Sequence, residues 1–137
     1  MPKAITGVAP TPFTLDRRNV LHLASDQSIS LLGVDDGIWR RRTELPVFRD
    51  GRVLSVFDYA SSWTWWERHP VGEEVVQVLS GSIVLHLDDG ERRTKAALEE
   101  GRGLVVPQGV WHRAECAAPS CVLFVTPTPA LTEHRDA

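Results

Sequence analysis

Carboxylate and imidazole side chains that suit a metal ion alternate with tryptophans in one short stretch of the chain. In a β-strand, successive side chains point to opposite faces. This alternation predicts Trp63, Trp65, Glu67 and His69 on one face. An acid and an imidazole two residues apart would then point the same way. The two indole rings beside them would form an aromatic wall for a flat or apolar ligand, or simply fill a core.

Two further groups of the same kind occur later in the chain. Glu74 heads an alternating face that it shares with Val76 and Val78, and His112 shares its face with Cys116. Both faces are otherwise apolar, so both are predicted to point inward. Two carboxylates and two imidazoles would be costly to bury without partners, whereas one divalent cation would satisfy all four.

The sequence therefore predicts a site for one divalent metal ion. Two nitrogen and two oxygen ligands form a hard set that favours iron, manganese, zinc or nickel over copper(I). The alternative is that Glu67 pairs with a cation such as Arg68 or Arg113 and that the site is degraded. The predicted metal ligands are Glu67, His69, Glu74 and His112. The residues predicted to line the pocket are Trp63, Trp65, Val76, Val78 and Cys116.

The remaining histidines and the cysteines are expected to have structural roles. His22, His86 and His134 carry no pattern that suggests a ligand, so structural or surface positions are expected. For Cys116, packing as a small apolar residue is favoured over a role as a pocket thiol. Cys121 follows Cys116 after a turn-like stretch, and two reduced thiols are favoured over a hairpin disulfide.

Several aromatic and basic residues that do not lie on the predicted inward face are expected to have structural or surface roles. Trp66 and Trp111 alternate with the ligand positions and are expected to serve packing or a dimer interface. The run Arg40, Arg41 and Arg42 is too short for a nucleic-acid patch and is predicted to be a solvated turn.

Short apolar runs punctuated by turn formers predict an all-β jelly-roll barrel. The turns contain pairs such as Asp-Gly, Ser-Gly and Glu-Gly, whose backbone preferences reverse the chain. One segment, 15–25, has a pattern compatible with a helix. The predicted strands are 29–34, 52–59, 62–69, 74–79, 82–87, 92–98, 104–106, 111–116 and 121–126.

Length and composition predict one domain over residues 1–137, with a core at about 27–127. An irregular arm at 1–14 and a tail at 127–137, extended or frayed, would flank this core.

The charge and hydropathy of the chain exclude two classes of partner. A net charge of −3 gives no positive surface for nucleic acid, and no apolar run is long enough to span a membrane. A cytoplasmic location is expected by default. A homodimer is expected because a small β-protein must hide its sheet edges.

At these residues the chain resembles the cupin family. The first cupin motif has two histidines one residue apart, then a glutamate and, after six more residues, a glycine; His69, Glu74 and Gly81 match it. The second motif combines glycine, proline, glycine and histidine at fixed spacing, followed by asparagine. The chain departs from the motifs with Glu67 at the first histidine and Cys116 at the asparagine. The residues that match the second motif are Gly101, Pro107, Gly109 and His112.

The resemblance implies a double-stranded β-helix that holds a metal ion and binds or acts on a small organic molecule. Families of this type include dioxygenases, isomerases and decarboxylases, so a dioxygenase-like or isomerase-like activity is an expectation by analogy alone. The alternatives are a non-catalytic module that binds a small molecule or metal, and a cupin whose site is empty. The sequence does not decide whether the protein is an enzyme.

Overall fold

The computed structural model describes residues 11–35, 37 and 39–137. It is an all-β structure, with three short 3-10 turns at Arg42–Glu44, Pro46–Arg49 and Pro129–Leu131. The strands are β1 (Asn19–Leu23), β2 (Ile29–Gly33), β3 (Arg52–Tyr59), β4 (Trp65–Arg68), β5 (Glu74–Ser80), β6 (Ser82–Asp88), β7 (Arg93–Glu99), β8 (Gly103–Val106), β9 (Trp111–Glu115), β10 (Ser120–Pro127) and β11 (Glu133–Asp136).

The strands form two antiparallel sheets, which confirms the predicted jelly-roll class. The six-stranded sheet has the order β2-β1-β3-β10-β5-β8, and the five-stranded sheet has the order β11-β4-β9-β6-β7. Consecutive strands repeatedly change sheet, so β4 and β9 lie in one sheet while β5 and β10 lie in the other. Side chains from distant parts of the chain therefore meet between the sheets.

The main core fills the space between the two sheets. Val76 and Val78 of β5, Leu85 of β6 and Val122 of β10 are all fully buried there. They occupy alternate positions on their strands, so the opposite faces are left partly exposed. A second cluster around Phe48 packs the 3-10 turns against β1 and β3.

Two motif glycines hold turns that position the site. Gly81 joins β5 to β6 with a positive φ of 80°, and a Cβ there would come within 2.7 Å of the Pro119 carbonyl oxygen. Gly109 also has a positive φ, of 78°. Its amide donates to the carbonyl of His69 at 2.9 Å, which ties the turn before β9 to the residue after β4. Only glycine adopts these backbone conformations without strain.

All nine predicted strand segments are found; 52–59 matches β3 at both ends, and the other eight are shifted at one or both ends. The largest shift is in β4, which begins at Trp65 instead of residue 62, and Thr64 just before it lies in a bend. The predicted helix at 15–25 is wrong, because this segment contains β1, which pairs with both β2 and β3. Strand pairing overrides a weak local preference.

The C-terminal tail is not frayed. Its strand β11 pairs with β4 over four residues, and His134 lies directly opposite Glu67. Of the predicted N-terminal arm, residues 1–10 lie outside the described residues, and 11–14 have no regular secondary structure. No helix in the described part of the chain is long and apolar enough to cross a membrane.

Candidate metal centre

The four predicted ligands converge between the two sheets. Glu67 lies on β4, His69 directly follows it, Glu74 begins β5, and His112 lies on β9. Each offers one ligand atom, and these atoms all lie within 4.8 Å of one another. Pairing of β4 with β9 places Glu67 opposite His112, and the neighbouring sheet brings Glu74 across the interior.

Glu74 lies at the centre of this group. Its Oε1 is 3.2 Å from His69 Nε2 and 2.9 Å from His112 Nε2. Glu67 is more distant, with Oε2 at 3.8 Å from His69 Nε2 and 3.7 Å from His112 Nε2. The side chains of His69, Glu74 and His112 are at most 2% exposed, whereas that of Glu67 is 19% exposed. Glu67 therefore closes the group on its open side.

Hydrogen bonds to the Nδ1 atoms of the two histidines orient their Nε2 atoms toward Glu74. Nδ1 of His112 is 3.3 Å from the Val110 carbonyl, which can only accept, so a neutral His112 carries its proton on Nδ1. Nδ1 of His69 is 3.1 Å from Thr132 Oγ1. Such partners orient metal-binding imidazoles and fix their tautomer.

Glu74 is oriented in the same way. Thr126 donates its hydroxyl to Glu74 Oε2 at 2.6 Å, so Oε1 is left for the two imidazoles. His69 Nε2, His112 Nε2 and Glu74 Oε1 are buried and have no hydrogen-bond partner, although they lie close together. Three buried ligand atoms that face one another need a shared cation, which is a proton on an imidazole or a metal ion. The arrangement therefore fits a divalent metal ion.

The pKa values of the clustered residues show that the two carboxylates are stabilised by positive charge on the neighbouring imidazoles. Burial alone would raise the pKa of the Glu67 carboxyl, but the imidazoles of His112, His134 and His69 hold it well below its usual range. The pKa of Glu74 is also lowered, against the effect of burial, by His112 and His69. Burial would lower the pKa of His112, but Glu67 and Glu74 raise it to about 10.

Metal binding is therefore expected to release a proton and to strengthen with pH. Below the His112 pKa of about 10, a proton on this imidazole occupies the metal-free site, and the metal must displace it. Apparent affinity should rise by about tenfold per pH unit where one proton is displaced. Calorimetry in buffers of different ionisation enthalpy measures the proton count. Equal heats in all buffers, with affinity independent of pH, would contradict this prediction.

Glu67 is held by a second set of contacts on its other oxygen. Trp65 donates its indole N–H to Glu67 Oε1 at 3.3 Å, and His134 Nε2 lies at 3.3 Å from the same atom. Arg42 Nη2 lies 3.2 Å from His134 Nδ1. Since an arginine can only donate, His134 accepts on Nδ1 and donates from Nε2. Glu67 Oε2 is thereby left free on the side of His69 and His112.

A cavity of about 590 Å³ opens onto Glu67, His69 and Glu74 of the four-residue cluster. Its volume is within the range of small-molecule sites. Trp63 and Trp65 stack with ring centroids 5.4 Å apart and an interplanar angle of 6°, and both line the cavity. The residues that line the cavity are Trp39, Arg40, Arg42, Ser55, Phe57, Tyr59, Trp63, Trp65, Glu67, His69, Glu74, Phe124, Thr126, Pro129, Thr132 and His134.

Three residues predicted to line the pocket do not reach this cavity. Val76, Val78 and Cys116 pack in the main core instead. They lie on the same strand faces as Glu74 or His112. Each lies further along the chain from the metal cluster, where that face packs into the closed part of the interior. Burial raises the pKa of the Cys116 thiol, as expected for a packing cysteine.

Four aromatic residues, Trp66, Trp111, His22 and His86, lie away from the four clustered residues. Trp66 and Trp111 lie on the outer face of the five-stranded sheet, where arginine side chains stack on their rings. Arg135, for example, lies 5.2 Å from the Trp66 ring and 4.5 Å from the Trp111 ring. His22 bonds the Asp50 carbonyl. His86 bonds Glu115 on the surface.

Sequence reasoning missed the residues that support the ligands from the far end of the chain. Thr132 and His134 contact His69 and Glu67 because β11 returns beside β4. Arg42 was predicted to lie in a solvated turn, which is wrong for this residue, because it is partly buried and lines the cavity. No local pattern marks these residues.

Comparisons with known structures find the same fold at low sequence identity. An oxalate oxidase in complex with glycolate is 15% identical over 60% of this chain and 45% of its own, with a TM-score of 0.50. A hydroquinone 1,2-dioxygenase from Sphingomonas sp. TTNP3 with 4-hydroxybenzoate bound is 16% identical over 56% of this chain and 59% of its own, with a TM-score of 0.48. The chain thus matches less than two thirds of either.

A cupin-2 domain containing protein from Shewanella frigidimarina is 20% identical over 56% of this chain and 70% of its own, with a TM-score of 0.46. No curated protein sequence matches the chain significantly. A sequence model described as Cupin domain matches residues 55–126, which include both motifs and all four clustered residues. Since this match covers more than half of the chain and the two-sheet topology agrees with it, the protein belongs to the cupin family.

Proposed function

We propose that the protein holds one divalent metal ion at Glu67, His69, Glu74 and His112 and binds or transforms a small organic molecule in the adjoining cavity. The observation that supports this most strongly is the convergence of three buried ligand atoms, His69 Nε2, Glu74 Oε1 and His112 Nε2, that have no hydrogen-bond partner outside their own cluster. Four protein ligands leave one or two coordination positions open toward the cavity.

When bound, a divalent metal ion supplies Lewis-acid or oxygen-activating chemistry. The residues around it supply the remaining functions. Trp63 and Trp65 present flat apolar surfaces that exclude water and orient a substrate. Burial, followed by the charges of Glu67 and Glu74, raises the pKa of Tyr59 well above its usual value, so its hydroxyl keeps its proton and can donate to a bound molecule.

The ligand chemistry supports a particular class of metal. Two imidazoles and two carboxylates suit iron, manganese, zinc or nickel and disfavour copper(I), which prefers sulfur ligands. A dioxygenase-like or isomerase-like reaction is compatible with the open positions and remains an analogy with the fold.

The alternative is a cupin that binds a small molecule without turnover. The distance of Glu67 from the two histidines and its contacts with Trp65 and His134 favour this alternative if Glu67 stays bound to them. A three-ligand site would then hold a metal only weakly. The two functions differ in metal content and in turnover.

Metal content of the purified protein tests the proposal. We expect close to one equivalent of a divalent metal per chain after growth in metal-supplemented medium, loss of the metal to a strong chelator, and its return on reconstitution. Reconstituted protein should turn over a member of a panel of enols, diketones and aromatic acids that the metal-free protein leaves unchanged. Full reconstitution without turnover would support the binding module. Failure to take up any divalent metal would overturn the proposal.

We further propose a homodimer formed by the outer face of the six-stranded sheet. A row of apolar side chains crosses this face. Each of the six strands contributes one residue, which lies directly opposite the residue from the neighbouring strand. Val105 at its edge is 53% exposed, and an apolar surface of this extent typically marks an interaction site. The residues of the row are Leu31, Leu21, Leu54, Val125, Val75 and Val105.

Charges on β3 favour a second copy as the partner. Arg52, Leu54, Val56 and Asp58 alternate on the outer face of this strand. A two-fold axis that crosses the strand at its centre stacks two copies antiparallel. Arg52 of one copy then lies opposite Asp58 of the other, with the two apolar residues between them. This pattern is self-complementary, as a two-fold interface requires.

Charge reversal on this strand is expected to control dimerisation. Arg52→Asp or Asp58→Arg alone should weaken the dimer by about tenfold, because like charges would face each other, and the double variant should restore it. Light scattering over a concentration series measures the association. A wild-type monomer at micromolar concentration, or three variants with unchanged association, would exclude this interface.

A further inference from the structure

Arg42 brings a positive charge to the cavity, and no carboxylate among the described residues pairs with it. Its Nη1 donates to the Trp39 carbonyl at 2.6 Å, and its Nη2 donates to the Thr132 carbonyl at 3.0 Å and to His134 Nδ1. All three partners are neutral. Within the described ranges, no carboxylate lies within salt-bridge distance of this guanidinium, and its buried Nε has no hydrogen-bond partner.

Arg40 adds a second cation to the lining of the same cavity. No hydrogen bond or ion pair joins its side chain to any of the residues that the structure describes. The intervening Arg41 differs, because it is paired with Asp35 at 3.1 Å and does not line the cavity. Of the three consecutive arginines, the two that face the cavity are therefore the two that no carboxylate in the described part of the chain pairs with.

The charge of the complete site points to an anionic ligand. The two carboxylates of Glu67 and Glu74 balance a divalent ion, and the coordinating imidazoles of His69 and His112 are neutral when they bind it. The guanidiniums of Arg40 and Arg42 are always charged. They leave the cavity with an excess of positive charge, which a carboxylate on the bound molecule would offset through short, charge-assisted hydrogen bonds.

The cavity walls indicate the rest of the ligand. Apart from the two arginines and the metal cluster, they are mainly aromatic, with Trp39 and Phe57 on one side and the stacked Trp63 and Trp65 on another. Trp39 and Phe57 meet edge to face, with ring centroids 6.0 Å apart. Such walls favour a flat apolar body.

We propose that the cavity selects a small aromatic or other flat carboxylate, whose acid group binds Arg42 and Arg40 while its other end faces the metal cluster. This inference rests on the proposed function only in one respect, which is that the end of the ligand opposite the acid group faces a bound metal ion. The acid group itself is recognised by the arginines. The discrimination between an acid and its neutral amide should therefore persist without the metal.

The test compares 2-naphthoate with its neutral amide, 2-naphthamide, by calorimetry on metal-loaded and chelator-treated protein. We expect the acid to bind more tightly than the amide in both forms. Arg42→Gln should reduce this preference by about tenfold, because charged hydrogen bonds to the acid are lost while the aromatic contacts remain. The ratio of the two affinities, measured on one variant, does not depend on how much of that variant is folded.

Arg41→Gln is the matched control, and it should leave the preference unchanged. Because Arg42 also supports two backbone carbonyls, Arg40→Gln provides a second variant, which should reduce the preference by a smaller factor. A preference that survives both cavity variants but disappears with the metal would show that the acid binds the ion instead, and would overturn the inference. Absence of any preference in the wild-type protein would overturn it as well.

Discussion

Glu74→Gln is expected to lower metal affinity by at least about 100-fold, more than the typical cost of losing a partner behind a ligand. Glu74 is the only clustered residue whose oxygen lies within 3.2 Å of both imidazole nitrogens. A neutral amide is a poor ligand, and the substitution removes one of the two negative charges that attract the ion. Competition with a chelating indicator measures the affinity, and elemental analysis measures the occupancy.

The neighbouring glutamate provides a matched control for this experiment. Glu73 precedes Glu74 but is exposed and lies outside the cluster, so Glu73→Gln should retain the wild-type affinity. Circular dichroism of the metal-free proteins should show the same fold in both variants, because glutamine fits the volume of glutamate. Equal metal affinity in the Glu74 and Glu73 variants would mean that the buried carboxylate is not a ligand.

Glu67→Gln is expected to lower metal affinity on the order of 10- to 100-fold, with the fold unchanged. The effect should be smaller than that at Glu74, because Glu67 is partly exposed and its Oε2 lies 3.7 Å or more from the imidazole nitrogens. The carboxylate must move toward the ion to bind it. Elemental analysis beside the parent protein measures the loss of occupancy.

A second substitution at the same position separates a ligand from a bystander. Glu67→His should retain or raise the metal content, because it restores the pair of histidines usual in the first cupin motif. Glu133→Gln is a suitable control, since Glu133 pairs with Arg68 away from the cluster. If the glutamine variant keeps the metal content of the parent, Glu67 is held by Trp65 and His134 and does not coordinate.

The sequence by itself determined the all-β fold and the four clustered residues. Alternation places Glu67, His69, Glu74 and His112 inward whatever the order of the strands, because the side-chain period of a strand is a local property. The turn signals at Gly81 and Gly109 are local as well, because the positive φ angle at each position favours glycine whatever surrounds it. Together these two signals were sufficient to predict the fold class and the four residues that cluster between the sheets.

Only the tertiary structure decided what surrounds the site. Thr126, Thr132 and His134 are distant in sequence from the ligands they contact, and they reach them because β10 and β11 pair beside β5 and β4. Arg42 enters the cavity because the 3-10 turns pack against the 3-10 turn that precedes β11. Strand partners are set by the packing of the whole chain, so a single segment does not encode them.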